Sequence, residues 1–478
     1  MASRYAKQSL IFLCMAIAAL LIAPSQSNAQ GGAGGAAGGG DCATDGGNGT
    51  AQNGDNFFFG VVGGVSVDAE KVVRGEYRSL PTADQLRIRK ALTQADADIN
   101  SATPLRMISL SGLEKAIAKA VDSGRPLPAE VQYMAGIQRL EYVIADTENN
   151  DIILAGPGEG WTTNEEGNVV GVTSGMPVLH LQDFMVAMRS VDAARQGQGV
   201  SVSIDPTAEG VRNVNQIYAQ MAQQRVSSVS RSLATKIEQA CGDQLVTLTG
   251  VPRDSHFSRV LLTADYKMKR LAMGLDKSPI RQLPSMMSII ARKRIKLKVA
   301  TPRMWIECDY EPVAKSKDNK IWQIAGKGVR VQTENEIADA HGNRQGTGKK
   351  LKVAEDWAKN MTKHYDALSA KVPVFRDLRN VMDMSVIAAI IRSENLASKV
   401  GLEMPMIGGE IETPSYTVPE KIPSQVSVAD SYAVQVSGGV LLNSWGAAQN
   451  TVLKDEITEV AAIAKVATAD RWWWNAKQ

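Results

Sequence analysis

The sequence predicts an α+β fold of mixed layers, built as two or three modules of β-hairpins and amphipathic helices. Three observations lead there. Between residues 139 and 249, strand-like and helix-like patterns alternate. From about residue 295 the pattern turns to charged, alternating strands. A chain of 478 residues has room for several domains at about 100–200 residues each. The expected layout is an N-terminal α/β module at 57–250 and a central α+β module at 251–404. A Pro-rich connector at 405–424 and a C-terminal hairpin and helix at 425–478 follow.

Residues 60–73 look like a strand pair, and 104–123 contains a helix with Leu110, Leu113, Ile117 and Ala120 on one face. Residues 139–145 and 151–155 are strands joined by a turn at Glu148-Asn149-Asn150. Residues 181–194 form an amphipathic helix, and Val200, Val202 and Ile204 alternate as a half-buried strand. Asp205-Pro206-Thr207 starts a helix through Met221, and 245–249 is a strand. Pro252 breaks that strand, and Asp254 or Ser255 can cap the next helix. Phe257, Val260, Leu261, Ala264, Met268, Leu271 and Ala272 give this helix its apolar face, and Gly274 suits its end. Residues 304–310 and 321–332 read as a hairpin closed at Ser316–Asn319. Residues 353–371 and 374–400 are helical, separated at Pro373. Residues 432–437 and 440–445 read as a hairpin across Gly438-Gly439, and 451–469 as a final helix.

The N-terminus has the layout of a cleavable signal peptide. Arg4 and Lys7 precede an apolar run from Leu10 to Ala23, and Ser27-Asn28-Ala29 predicts cleavage after Ala29. The expected location is therefore the periplasm or the exterior. Losing Arg4 and Lys7 takes the net charge from +3 to +1, which leaves no global field for a polyanion and argues against nucleic acid. No later apolar run approaches membrane-spanning length. Residues 30–56, rich in Gly and Ala, read as a flexible tether, or as a disordered tail without a role. Cys241 and Cys308 are either free thiols or a pair, since spacing does not decide.

Chemistry is sparse. Asp254-Ser255-His256 holds the residue types of a hydrolase triad. Neighbours at a helix start diverge by about 100°, so His256 is poorly aimed at Ser255, and capping explains the trio better. The four histidines (180, 256, 341 and 364) are far apart and make no metal-binding motif, so no metal or cofactor is expected. The Gly156–Gly160 loop carries Glu159 and lacks the Lys of a phosphate loop; Trp161 beside it is a candidate ligand contact. The run Arg292 to Lys298 is the densest in basic residues. As a strand it would put Arg294, Lys296 and Lys298 on one face, either blunting a sheet edge or, with Arg292, binding an anionic envelope polymer or acidic protein. Trp472-Trp473-Trp474 would stack on sugars or dock the tail.

Four stretches resemble an uncharacterised family of secreted planctomycete proteins, a domain of unknown function. They are VPRDSHFSRVLLTADYKMKRLAMG, YVIADTENNDIILAGPGEGW, the segment around VFRDLRNVMDMSVIAAII, and SGGVLLNSW. The resemblance spans the chain from about residue 60 and implies no activity or site residue. The sequence thus favours an exported, non-catalytic binding or scaffold protein of the envelope. A secreted hydrolase with a dispersed site at His256 is the alternative, and a self-assembling structural subunit the third reading.

Overall fold

The computed structural model describes residues 97–164, 168–197, 199–226, 228–296, 301–339, 341–429, 432–455, 457 and 471–476. The expected signal peptide, the tether and the strand pair at 60–73 lie outside these residues, as does most of the expected final helix.

The architecture is α+β. The strands of its two large sheets are β1 (Thr103–Ser109), β2 (Tyr142–Asp146), β3 (Asp151–Gly158), β4 (Val200–Pro206), β5 (Asp243–Thr249), β6 (Thr301–Asp309), β7 (Val313–Lys315), β8 (Ile321–Gln323), β9 (Gly328–Ala338), β10 (Arg344–Gly346), β11 (Lys421–Pro423), β12 (Ser437–Leu442), β13 (Thr451–Leu453) and β14 (Trp473–Asn475). One sheet runs β13-β7-β8-β2-β3-β1-β14 and the other β10-β9-β6-β12-β4-β5-β11. Each sheet contains a single parallel pair, β13 with β7 and β12 with β6. Strands from 57–250, 251–404 and 425–478 are interleaved in both sheets.

The helices that position the site are α1 (Leu110–Asp122), α2 (Leu181–Arg195), α3 (Ala208–Gln223), α4 (Arg231–Cys241), α5 (His256–Met273), α6 (Met286–Lys293), α7 (Lys352–Lys363), α8 (Pro373–Ser393) and α9 (Ser444–Gln449). α8 is the central one. Pro373 sits in its first turn, where the missing N–H costs nothing. Every residue from Leu378 to Ile391 is buried, and the helix packs against α2, α5 and α9. None of the described helices is long and apolar enough to cross a membrane.

α5 follows the sequence expectation closely. Ser255 Oγ accepts from Ser258 N, and Gly274 closes the helix in the left-handed region. Ser255→Ala is expected to cost about 1 kcal/mol, read as a lower denaturant midpoint at unchanged slope.

Several expectations are corrected. Residues 103–109 form β1, a strand the sequence reading did not single out, and the expected helix follows it from Leu110. Met107 and Ile108 are fully buried between β3 and β14, while Leu110, Leu113, Ile117 and Ala120 are buried on one face of α1 as expected. The hairpin expected over 304–332 is split. β6 pairs with β9 in one sheet, while β7 and β8 pair around Ser316–Lys320 in the other. Residues 437–442 are one continuous strand rather than a turn, and Tyr432–Val434 pairs with Ser427–Ala429 instead. Arg292 and Lys293 end α6, and Arg294 caps it in the left-handed region, so this run does not begin a strand. Lys298 lies outside the described residues. Residues 451–453 form β13. Trp473 and Trp474 are buried in β14 against β1, so the tryptophan run docks the tail.

Charged groups are buried beneath the second sheet. The ammonium of Lys269 donates to Asp265 Oδ2 at 2.7 Å, Gly438 O at 2.9 Å and Ile204 O at 3.2 Å. It thereby ties α5 to β12 and β4. Asp265 Oδ1 is buried without a partner among the described residues. Burial pushes the Asp265 carboxyl up to about 7, against the pull of Lys269. A second buried carboxylate, Asp383 on α8, accepts from Tyr310 Oη at 2.6 Å and from Arg139 Nε at 2.9 Å.

Candidate functional site

Two helix starts meet at one place. The segment Pro177–His180 leads into α2, with His180 at the cap position and Asp183 in the first turn. His256 is the first residue of α5. His256 Nδ1 and Asp183 Oδ2 are hydrogen-bonded at 2.7 Å. The His256 side chain is 14% exposed, while Asp183 is buried. The imidazole of His180 lies flat on that of His256, with centroids 4.3 Å apart and planes 2° from parallel. Asp183 Oδ1 is buried and has no partner among the described residues.

Aromatic rings extend the row on both sides. Tyr133 meets His180 edge-on at 5.3 Å and lies 6.0 Å from Trp161. Tyr416 meets His256 at 5.2 Å, and the Arg259 guanidinium sits over the Tyr416 ring at 5.5 Å. Tyr416 arrives on the Pro-rich connector. That segment is strapped down by Tyr416 N donating to Asp254 O (2.8 Å), Gln182 Nε2 donating to Pro414 O (2.8 Å) and Arg189 donating to Gly409 O (2.6 Å).

The electrostatics separate the two imidazoles. Burial, and then the adjacent His256, pull His180 down to about 3. Burial also pulls on His256, but Asp183, through charge and hydrogen bond, and Asp377 outweigh it, so its pKa lies above the usual value. Burial pushes Asp377, from α8, up to about 7. Burial raises the Tyr416 phenol and lowers Arg259. Titratable groups driven apart in a small volume mark sites of chemistry more often than structural cores.

Of the three neighbours read from the sequence, only His256 enters this cluster. Ser255 is buried as the cap, and its hydroxyl donates to Pro252 O at 2.7 Å. Asp254 is exposed, and its carboxylate lies near Ser415. The carboxylate that meets His256 is Asp183, 73 positions away. Trp161 is 5% exposed and belongs to the aromatic row. Arg292, Arg294 and Lys296 are exposed at the end of α6. Cys241 and Cys308 are free thiols.

The sequence missed His180, Asp183, Asp377, Arg259 and Tyr416. Its one local signal was the spacing of His180 and Asp183 across a helix start, which puts both side chains on one face. Nothing local ties that pair to His256.

Residues 202–286 match DUF1598, a family of proteins of unknown function. No curated protein and no solved structure matches the chain. The DUF1598 segment runs from β4 into α6 and contains His256 and Arg259. His180, Asp183, Asp377 and Tyr416 come from outside it, so the cluster needs more of the chain than the matched segment.

Proposed function

We propose that this chain is an exported hydrolase whose dispersed site is centred on His256, Asp183 and His180. The observation that carries the reading is the Asp183–His256 pair at 2.7 Å, backed by a second imidazole and roofed by Tyr416. A carboxylate that fixes one nitrogen of an imidazole frees the other for proton transfer. Arg259 adds positive charge near the cluster, suited to a substrate with anionic or polarised oxygen. The adjacent Ser255 hydroxyl is engaged as the helix cap, donating to Pro252 O at 2.7 Å, and we assign the attack to water rather than to that hydroxyl.

Export is supported by the basic start, apolar run and Ala29 cleavage site of the N-terminus. The secreted planctomycete family is the source we assign, on the four stretches quoted above. Attachment to an anionic envelope polymer through Arg292, Arg294, Lys296 and Lys298 belongs to the same proposal. The exposure of the first three supports it.

The test is a screen of the purified chain against ester, phosphoester, peptide and glycoside substrates. His256→Gln is expected to lower any activity found by at least about 100-fold, the scale of a lost general acid or base, in a chain that circular dichroism shows still folded at the assay temperature. Hydrolysis that survives His256→Gln removes this site. Absence of hydrolysis across all four classes returns the chain to a scaffold role.

A further inference from the structure

We propose that His180, Asp183 and His256 hold a divalent first-row transition-metal ion, a proposal that rests on the hydrolytic reading of the same site and gives His256 the part of a ligand in place of proton carrier. Two imidazoles and one carboxylate are a donor set suited to such ions. One ligand atom from each residue falls within 4.8 Å of the others. The second observation is the orphaned oxygen. Asp183 is only 3% exposed, and its Oδ1 is buried with no partner among the described residues. A buried carboxylate oxygen left unsatisfied calls for a water or an ion.

The geometry also states what binding must change. His256 Nδ1 and Asp183 Oδ2 are now hydrogen-bonded at 2.7 Å. Ligand atoms about 2.0–2.2 Å from one tetrahedral ion sit roughly 3.3–3.6 Å apart, so the ion takes the place of the proton and the pair must open by roughly 0.6–0.9 Å to admit it. The two rings are parallel within 2°, and in-plane lone pairs on parallel rings do not converge. One imidazole must turn about its Cβ–Cγ bond, and the ring stack opens. His180 has the freer setting, since its ring is held by ring contacts whereas that of His256 is hydrogen-bonded to Asp183. Three protein ligands leave a coordination position for water, the arrangement of catalytic rather than structural sites. When bound, the ion supplies a water acidified toward neutral pH.

The experiment is calorimetric and optical titration of the chelator-stripped full chain with Co(II), Zn(II) and Mn(II). One ion per chain is expected, with a visible cobalt spectrum that reports nitrogen ligation. His180→Ala, Asp183→Ala and His256→Ala are each expected to weaken binding by more than the ~10–100-fold that loss of an outer partner costs. His341→Ala, on an exposed turn, should leave it unchanged. If an alanine variant fails to fold, a metal-dependent rise in melting temperature present in the native chain and absent in His180→Gln serves the same purpose. No binding of the three ions, or equal binding by all variants, overturns the proposal. Hydrolysis that persists in the stripped chain and still needs His256 overturns the metal while sparing the hydrolytic reading. One bound ion lost in the three variants, without hydrolysis of any substrate class, upholds the metal and removes that reading.

Discussion

Replacing Lys269 by methionine is expected to lower stability by about 3–5 kcal/mol, the cost of leaving a buried charge without its partner. Methionine keeps the length and packing of the side chain, so lost volume contributes little. What goes is an ammonium whose three acceptors are Asp265 Oδ2, Gly438 O and Ile204 O. Asp265 Oδ1 already lacks a partner among the described residues, and after the change Oδ2 loses its ion pair as well. Chemical denaturation measures the loss. The sign of its pH dependence follows from the carboxyl. The folded-state pKa of Asp265 is raised to about 7, above its unfolded value of about 3.9. Stability from this group is therefore full below about pH 4 and fades as pH rises through about 7. The methionine variant should lose less at about pH 5, where Asp265 is protonated, than at about pH 8. A double change, Lys269→Met with Asp265→Leu, should recover most of the loss, because an apolar pair of similar volume removes the desolvation cost.

Gly438→Ala is expected to be more damaging still, by more than about 4 kcal/mol. Gly438 is the second residue of the strand β12, between β6 and β4, with φ at +122°. A Cβ there would stand 1.7 Å from Met304 O, a backbone atom that cannot swing away. The left-handed backbone adds its own penalty for any residue with a side chain. Gly439 is equally tight, with its Cβ position 1.8 Å from Val202 O. Soluble yield and denaturant midpoint read the effect. A midpoint and slope unchanged from the native chain's would show that the central strand tolerates a wider register than this geometry allows.

The Gly438-Gly439 pair also shows where the sequence stops being legible. Paired glycines between apolar runs read as a turn, yet the pair lies within a strand, where two neighbouring backbones approach closely. That distinction depends on β4 and β6, more than 100 residues away. α5 lies at the other extreme, because its cap, period and left-handed stop are all local signals. The expected hairpin at 304–332 falls between these cases. Its alternation identified strands, but the partner of each depended on the two sheets. The site was the least legible part. His256 was visible as a residue type, but its carboxylate comes from α2, its ring partner from the loop before α2, and its roof from the connector. No spacing in the chain encodes that convergence.

The interleaving of the sheets has a consequence for the order of events in synthesis. β4, β5 and β6 are made early, but the strand that joins β4 to β6 begins only at Ser437. The first sheet waits longer, since β1 gains its outer neighbour only with Trp473–Asn475. A ribosome-bound chain therefore carries two unfinished sheets until Ser437–Leu442 appears, and one until Trp473–Asn475 does. Pairings that join the two ends of a chain form slowly. A truncation before residue 437 should therefore close neither sheet, because it lacks the strand between β4 and β6 and the outer neighbour of β1.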